Sequence, residues 1–391
     1  RQCKVCVHYD VERGAAFAKD STSTNLRNAF SKTGLNNRFF FIDNWKNIPQ
    51  SRLFQSEAYG TIVLPVRGNR IKMAERDKEL AEVLAIVNRK GGVAKTTTAI
   101  NLAHGLSRKL LRRVDASQLE QVEEKLDDTT RAERLFQYED YYYFIVGHVL
   151  LVDFDAQGHC VRGLGLEPGQ ADVGDVLSAH QHITQAVISA DRSADGFPRP
   201  NLWVLPSSDN LERVKEILRR HSYGRNIAQY GLFADDDEIN RELLGVLQDS
   251  LGLAIERFSY IILDCPPALD AFTQAVYRFS DAAIVPVKAD YFSMAGTDLH
   301  LTNIQEAQLR GIDIRIHTIV PTFFVSRQRL DQQMLEALKT TYGDRVSEPI
   351  PRSQAVAEAP AYGKTIFEID PRYQNPATVA YQSLVDRVFY G

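Results

Sequence analysis

Short, uninterrupted apolar runs recur along this chain, and helical patterns lie between them. Leu84 to Val87, Val149 to Val152 and the stretch FSYIILD at 258–264 are such runs. NLWVL from 201, DAAIVPV from 281 and IRIHTIV from 314 repeat the theme. Runs of four to seven apolar residues without polar alternation predict strands buried on both faces of a sheet. Between and after them, apolar positions return at helical spacing: Ala99, Ile100, Leu102, Ala103 and Leu106, then segments reaching about Glu256, then 377–391. Strands alternating with helices predict an α/β fold with a mostly parallel sheet flanked by helices.

Two regions stand outside that rhythm. Residues 1–80 hold strand-like runs at 38–42 and 61–66, a short helix within 23–38 and a charged helix over 72–83. They predict a small N-terminal α+β domain, with the main domain spanning 81–391. Residues 108–148 hold a surface helix through Leu119, Val122 and Leu126. The aromatic run QYEDYYYFIV that follows is expected to be partly buried. Either a surface elaboration or a partner contact fits it.

The densest chemistry follows the first apolar run. Lys90-Gly91-Gly92-Val93-Ala94-Lys95-Thr96-Thr97 lies between a strand and a helix start, the setting of a phosphate-binding loop. Glycines let backbone approach a phosphate, and free N–H groups at the helix start face the anion. Lys95 can reach terminal phosphates, and the Thr96 hydroxyl can ligate magnesium. Arg89 and Ala94 occupy the two glycine positions of G-x-x-x-x-G-K-[ST]. Alanine is a mild departure there as long as its φ is negative.

Two further strands end in carboxylates. HVLLVDFDAQGH carries Asp153 and Asp155, and FSYIILDCPPALD carries Asp264 followed by Pro266 and Pro267. Carboxylates at the C-terminal ends of parallel strands face the ligand crevice. Asp264 is placed to accept hydrogen bonds from magnesium-bound water.

Charge and cysteine content narrow the picture. The net charge of −4 excludes a wholly basic nucleic-acid binder, although the first 80 residues are net basic and the remainder net acidic. The basic part suits nucleic acid, an acidic partner, or an acidic neighbour in the same chain. Four cysteines predict no disulfide framework, and Cys3-x-x-Cys6 near His8 lacks the second pair of a zinc site. Cys160 and Cys265 stand singly beside loops, Cys265 as a packed turn residue. Neither a membrane-spanning run nor a signal peptide is expected, so the cytoplasm is the natural compartment.

KGGVAKTT resembles the deviant Walker A box of the ParA/MinD family of ATPases, usually KGGVGKT, with Lys90 as the additional lysine. LLVDFDAQGH is similar to the family's LLVDxDPQGN, DCPP to its D-x-P-P, and PIPRSQAVAEAPAYGKTIFEIDP to its IPR…EAPxxGKPI…DP segment. The resemblance covers about 82–390 outside residues 108–148, which read as an insertion because the family passes from the helix after the phosphate loop to the next strand through a short turn. It implies magnesium-dependent hydrolysis of ATP to ADP and phosphate. Lys90, Lys95 and Asp155 would be the catalytic residues, Asp155 orienting water, and the loop from Lys90 to Thr97 would hold the nucleotide. Thr96, Asp153 and Asp264 would serve magnesium. It also implies an ATP-bound sandwich dimer joined through Lys90, binding to non-specific DNA, and a ParB-like partner in plasmid or chromosome partition. Arg327 sits where the family has a DNA-binding arginine, with Arg329 and Arg352 as companions. The rival readings are positioning of another cargo, a MinD-like membrane-associated regulator, and a binding module with a dead nucleotide site. The C-terminal helix has Arg387 as its single basic residue, so packing on the domain is expected in place of membrane contact. Larger ParA proteins often carry a helix-turn-helix near the N-terminus; the spacing here does not support one.

Overall fold

The computed structural model describes residues 6–10, 15–19, 80–114, 134–230, 236–267, 271–288 and 314–391, with isolated positions between them. The chain divides into two units, Arg1–Arg76 and Asp77–Gly391. In the first, β1 (Cys6–Asp10) and β2 (Ala15–Lys19) pair antiparallel, a hairpin the apolar pattern did not predict. The helix expected within 23–38 and the strands expected at 38–42 and 61–66 lie outside the described residues.

The second unit is built on a seven-stranded sheet. Its strands are β3 (Glu82–Ile86), β7 (Val149–Asp153), β8 (Ile188–Ser189), β9 (Leu202–Leu205), β10 (Tyr260–Asp264), β11 (Ala282–Lys288) and β12 (Arg315–Thr322). Their spatial order is β12-β11-β3-β10-β7-β9-β8. Every pairing is parallel except that of β8 with β9. The end of the charged helix expected over 72–83 is corrected: Leu80 and Ala81 are not helical and β3 begins at Glu82, while 72–79 lie outside the described residues.

The continuous apolar runs are explained by burial on both faces. Val83 and Ala85 point into one core with Leu150, Val152, Ile261 and Leu263. Leu84 and Ile86 point into the other with Val149, Leu151 and Ile262. The second core is closed by α1 (Lys95–Lys109) and the C-terminal helix Pro376–Tyr390, through Leu102, Leu106, Tyr381, Leu384 and Val385. The first is closed by helices Asn210–Tyr230, Asp236–Arg257, Ala271–Phe279 and Arg329–Tyr342. At about 25 cal/mol per Å² of buried apolar surface, these two layers supply the main stabilisation of the unit.

Directly after α1 the chain enters a separate three-stranded antiparallel sheet. Its central strand is β6 (Tyr141–Ile145), flanked by β4 (Leu111–Val114) and β5 (Leu135–Tyr138). The aromatic run is therefore a hairpin, turning at Glu139-Asp140, and Tyr142, Tyr143 and Phe144 are half-buried. The helix expected through Leu119, Val122 and Leu126 falls almost wholly outside the described residues.

A buried ion pair ties the C-terminal segment to the sheet. Arg199 meets both oxygens of Glu368 at 2.8 Å and donates to the carbonyls of Leu164 and Gly363. The carbonyl contacts exist because Gly363 and Gly165 lie backbone to backbone: a Cβ on Gly363 would fall 2.4 Å from Gly165 Cα. Glu368 also accepts from the Thr365 backbone N–H, closing a capping box on the helix Ile366–Ile369. Burial raises the Glu368 pKa, but the Arg199 hydrogen bonds and the fields of His104 and Arg199 outweigh it, leaving it lowered. A bidentate pair with further hydrogen bonds to its carboxylate is the form in which buried charge is tolerated.

His104 of α1 is buried beside this strut. Its Nδ1 lies 2.6 Å from Thr365 Oγ1, and its ring meets Phe367 edge-on. Burial, the largest cause, holds its pKa down at about 3. Between pH 6.5 and about 3 the unfolded chain binds a proton here that the folded chain refuses. Stability from this residue is thus complete above pH 6.5 and lost as the pH falls. In His104→Gln, the acid-side slope of unfolding free energy between pH 6 and 4 should be shallower by about 1.4 kcal/mol per pH unit. Urea denaturation of both proteins across that range measures it; equal slopes would mean that His104 is charged in the fold.

Candidate nucleotide site

The strand β3 delivers the chain to the glycine loop at the C-terminal edge of the sheet. Asn88 Nδ2 donates to the Pro286 carbonyl, and Asn88 Oδ1 accepts the backbone N–H of Lys90, at 2.8 and 2.9 Å. Asn88 therefore pins the loop's entry to β11. At its exit, Thr322 at the end of β12 donates its hydroxyl proton to the Val93 carbonyl at 3.1 Å. Neither anchor carried a signal in the sequence beyond its place at a strand end.

Within the loop, Gly91 and Gly92 are exposed, and a Cβ on either would meet nothing within 4 Å. Gly92 adopts φ +70°, which explains that glycine. Ala94 adopts φ +69°, ψ +33°. The expectation of a negative φ is therefore corrected: alanine sits in the left-handed region that the family fills with glycine. The reason is geometric, because the loop must reverse at Ala94 to present the first N–H groups of α1. Among the described residues no side chain caps that helix start, so the early N–H groups stay available to an anion.

Lys95 is buried, with 8% exposure, and its Nζ donates to the Lys90 carbonyl at 3.0 Å. Burial lowers its pKa, while Asp264, Cys265 and Asp155 pull the other way. Thr96 is half-buried. Asp153 and Asp264 stand opposite each other in the register of β7 and β10, and both are almost fully buried. Asp153 accepts the backbone N–H groups of Asp155 and Cys160, each at 3.0 Å. The Oδ1 of Asp264 is buried with no hydrogen-bond partner among the described residues. Loss of hydration raises both carboxyls, and for Asp264 the charge of Asp153 adds to it, against hydrogen bonding from Thr96 and Cys160. Asp155 is half-buried, accepts the Gln157 N–H at 3.1 Å, and is felt electrostatically at Lys95, Asp153 and Asp264.

The structure thus gathers Lys95, Thr96, Asp153, Asp155 and Asp264 around one loop. Cys265 is buried, a packed turn residue as expected. Cys160 belongs to the cluster and was passed over in the sequence: its Sγ lies 3.5 Å from Asp264 Oδ2. Burial first, then both carboxylates, push its thiol pKa well up.

Arg327, Arg329 and Arg352 are exposed. Arg327 follows β12 in a loop, and Arg329 opens the helix Arg329–Tyr342. Arg352 joins them through backbone: its N–H donates to the Phe324 carbonyl at 2.9 Å, and the Phe324 N–H donates to Ile350 at 3.1 Å. The three arginines are therefore carried on two adjoining segments.

Comparison with known proteins agrees with this layout. The profile of an AAA-domain family matches residues 81–117 and 146–317, and its interruption falls on the small antiparallel sheet. The sporulation initiation inhibitor protein Soj of Bacillus subtilis is 27% identical over 297 residues, covering 75% of this chain and 93% of Soj. The chromosome partitioning protein ParA of Caulobacter vibrioides is 28% identical over 297 residues, covering 74% and 87%. An ATP complex of a Cyanothece McdA variant superposes with a TM-score of 0.57 at 20% identity, covering 79% of this chain and 96% of McdA. The septum site-determining protein MinD of Pyrococcus horikoshii, complexed with Mg-ADP, gives 0.53 at 18% identity, covering 79% and 96%. The chain belongs to this AAA-domain family, the ParA/Soj/MinD class of ATPases.

The left-handed Ala94 yields a direct test of the loop. Its conformation stores on the order of 1–2 kcal/mol that glycine would not. Ala94→Gly should raise unfolding free energy by about 1 kcal/mol, after allowing for glycine's greater freedom in the unfolded chain. The shift of the urea midpoint checks it, and a destabilised variant would mean that the alanine methyl makes compensating contacts.

Proposed function

We propose that this protein hydrolyses ATP to ADP and phosphate with magnesium, and that an ATP-bound dimer binds DNA without sequence preference to drive partition of a plasmid or chromosome. The observation that supports the catalytic part is the gathering of Lys95, Thr96, Asp153, Asp155 and Asp264 about a glycine loop at the C-terminal edge of a parallel sheet. The names of its relatives, chromosome partitioning protein and Soj, support the biological part.

The donor set fits magnesium. It offers hard oxygens, and the orphaned Asp264 Oδ1 is a buried acceptor that a cation or its water would satisfy. Thr96, Asp153 and Asp264 would hold the ion, which when bound neutralises charge on the phosphate oxygens. The backbone N–H groups from Gly91 to Thr97 bind the phosphates, that of Lys90 being held by Asn88. Lys95 turns from the Lys90 carbonyl to the terminal phosphate. Asp155 orients the attacking water, a role matched to its place beside solvent. Lys95→Ala should lose ATP affinity in calorimetry by at least tenfold. Asp155→Ala should keep that affinity while its single-turnover rate falls about 100-fold or more. An unchanged rate would remove Asp155 from catalysis.

Lys90 reaches the partner's nucleotide in the dimer, and dimerisation places two sets of Arg327, Arg329 and Arg352 on one DNA. A chain of net charge −4 presents few phosphate contacts singly, and affinity climbs steeply with their number. Lys90→Ala should bind ATP yet remain monomeric by light scattering and lose DNA binding by anisotropy. Arg327→Ala/Arg329→Ala should still dimerise, bind DNA more weakly, and show a shallower salt slope. DNA binding by the Lys90→Ala monomer at wild-type strength would overturn the dimer requirement.

A ParB-like protein is the expected partner, and residues 1–80 are read as a separate domain. The membrane-associated reading has less support. No helix among the described residues is long and apolar enough to cross a membrane. The C-terminal helix buries Ala377, Tyr381, Leu384, Val385 and Val388 against the domain, so its apolar face is already occupied.

A further inference from the structure

ATP hydrolysis as derived above uses carboxylates, a hydroxyl and lysines, and has no task for a thiol. Yet Cys160 is placed inside the carboxylate cluster. One ligand atom from each of Asp153, Cys160 and Asp264 lies within 4.8 Å of the other two, and all three residues are buried. The position is set by the turn after β7: Gly158, at φ +61°, starts the short helix His159–Gly163, and the Cys160 N–H closes back on Asp153 Oδ2. That bond fixes the backbone of Cys160 while its side chain turns toward β10. A second observation is independent of the thiol. Asp264, 1% exposed, keeps its Oδ1 buried without a hydrogen-bond partner among the described residues. Such an atom in a native fold calls for an explanation, and an ion is one.

The chemistry and the spacing select the class of ion. Magnesium and calcium are hard cations that take oxygen ligands, and a thiolate does not suit them. Zinc and its relatives accept sulfur and oxygen together, with bonds of about 2.3 Å to sulfur and 2.0–2.2 Å to carboxylate oxygen in tetrahedral geometry. Those bond lengths require a sulfur–oxygen separation of about 3.5 Å. The Cys160 thiol donates to Asp264 Oδ2 with a Sγ–Oδ2 distance of 3.5 Å, and loss of that proton leaves both atoms at a separation that one ion can bridge. Asp155, half-buried and electrostatically linked to both aspartates, is the acidic group of this cluster nearest solvent.

We propose that Asp153, Cys160 and Asp264 form a binding site for a thiophilic divalent cation of the zinc class, and that its occupancy withdraws Asp153 and Asp264 from magnesium. Binding breaks the Cys160 S–H bond, forms a sulfur–metal bond and releases the proton to solvent, with no change of oxidation state. Two carboxylates and a thiolate leave the occupied site with a net charge of −1, which the nearby Lys95 balances. The first half of the proposal concerns this chain's own ligands and needs no nucleotide. The second half rests on the magnesium reading given above.

The test uses the full chain carrying Cys3→Ser and Cys6→Ser, so that Cys160 and Cys265 are its remaining thiols. Cobalt(II), a spectroscopic stand-in for zinc, is titrated in without nucleotide or magnesium. One equivalent should produce a thiolate-to-cobalt charge-transfer band and the intense visible bands of a tetrahedral site, and zinc should displace it. Cys160→Ser should abolish the charge-transfer band and weaken zinc binding at least tenfold, and Asp264→Asn should weaken it similarly. Cys160→Ala, which cannot donate a hydrogen bond to Asp264, serves as a second variant, with melting curves showing that both are folded. A band that survives in either Cys160 variant, or no tetrahedral cobalt spectrum in the parent, would overturn the site. For the second half, zinc should raise the magnesium concentration needed for half-maximal ATP hydrolysis at least tenfold more in the parent than in Cys160→Ser. Equal inhibition of the two would reject the exclusion of magnesium while leaving the site standing. A parent without ATPase activity at any magnesium concentration would instead refute the magnesium reading, because the cobalt spectra are recorded independently of it.

Discussion

Two buried carboxylates held side by side set the terms for the rest of this molecule. Parallel pairing of β7 with β10 puts Asp153 opposite Asp264, and the helices over both faces of the sheet keep solvent out. Burying one ionised carboxylate is unfavourable by several kcal/mol, and a second beside it adds repulsion. Asp153 recovers part of this through two backbone N–H groups, while Asp264 retains an oxygen unpartnered among the described residues. The result is a standing demand for positive charge at one point in the fold. Lys95, bent back onto the Lys90 carbonyl, is the resident cation felt by Asp264.

The glycine loop carries the lysine that meets this demand, and its shape is imposed from both ends. Asn88 fixes the entry to β11 and Thr322 fixes Val93 to the end of β12. Squeezed between them, the chain takes positive φ at Gly92 and again at Ala94. Thr322 also stands one residue before the segment that leads to Arg327 and Arg329. The loop that would read the nucleotide and the arginines that would read DNA therefore share a strand end, a physical path by which one could bias the other.

Elsewhere the fold is secured by polar groups placed where apolar packing alone would leave the chain ends loose. The Arg199–Glu368 pair, 169 residues apart in sequence, clamps the C-terminal segment against the turn at Gly165. His104, neutral in the folded interior, bonds to the same segment at Thr365. The C-terminal helix can then lay its apolar face on α1, burying Ala377, Tyr381, Leu384, Val385 and Val388.

Much of this was legible from residue order alone, and the reason is locality. A strand buried on both faces writes itself as a continuous apolar run, so β3, β7, β9, β10, β11 and β12 could be read from composition over a few residues. A phosphate loop likewise compresses its chemistry into eight consecutive positions, and strand-end aspartates announce themselves by where the apolar run stops. What the tertiary structure alone decided was adjacency. Nothing local says that Asp153 faces Asp264, that Cys160 turns its sulfur toward both, or that Arg352 lies beside the Phe324 segment, because strand order and register are settled by packing across the whole sheet. The φ of Ala94 belongs with these: alanine by itself favours negative φ, and only the anchors at Asn88 and Thr322 force it across.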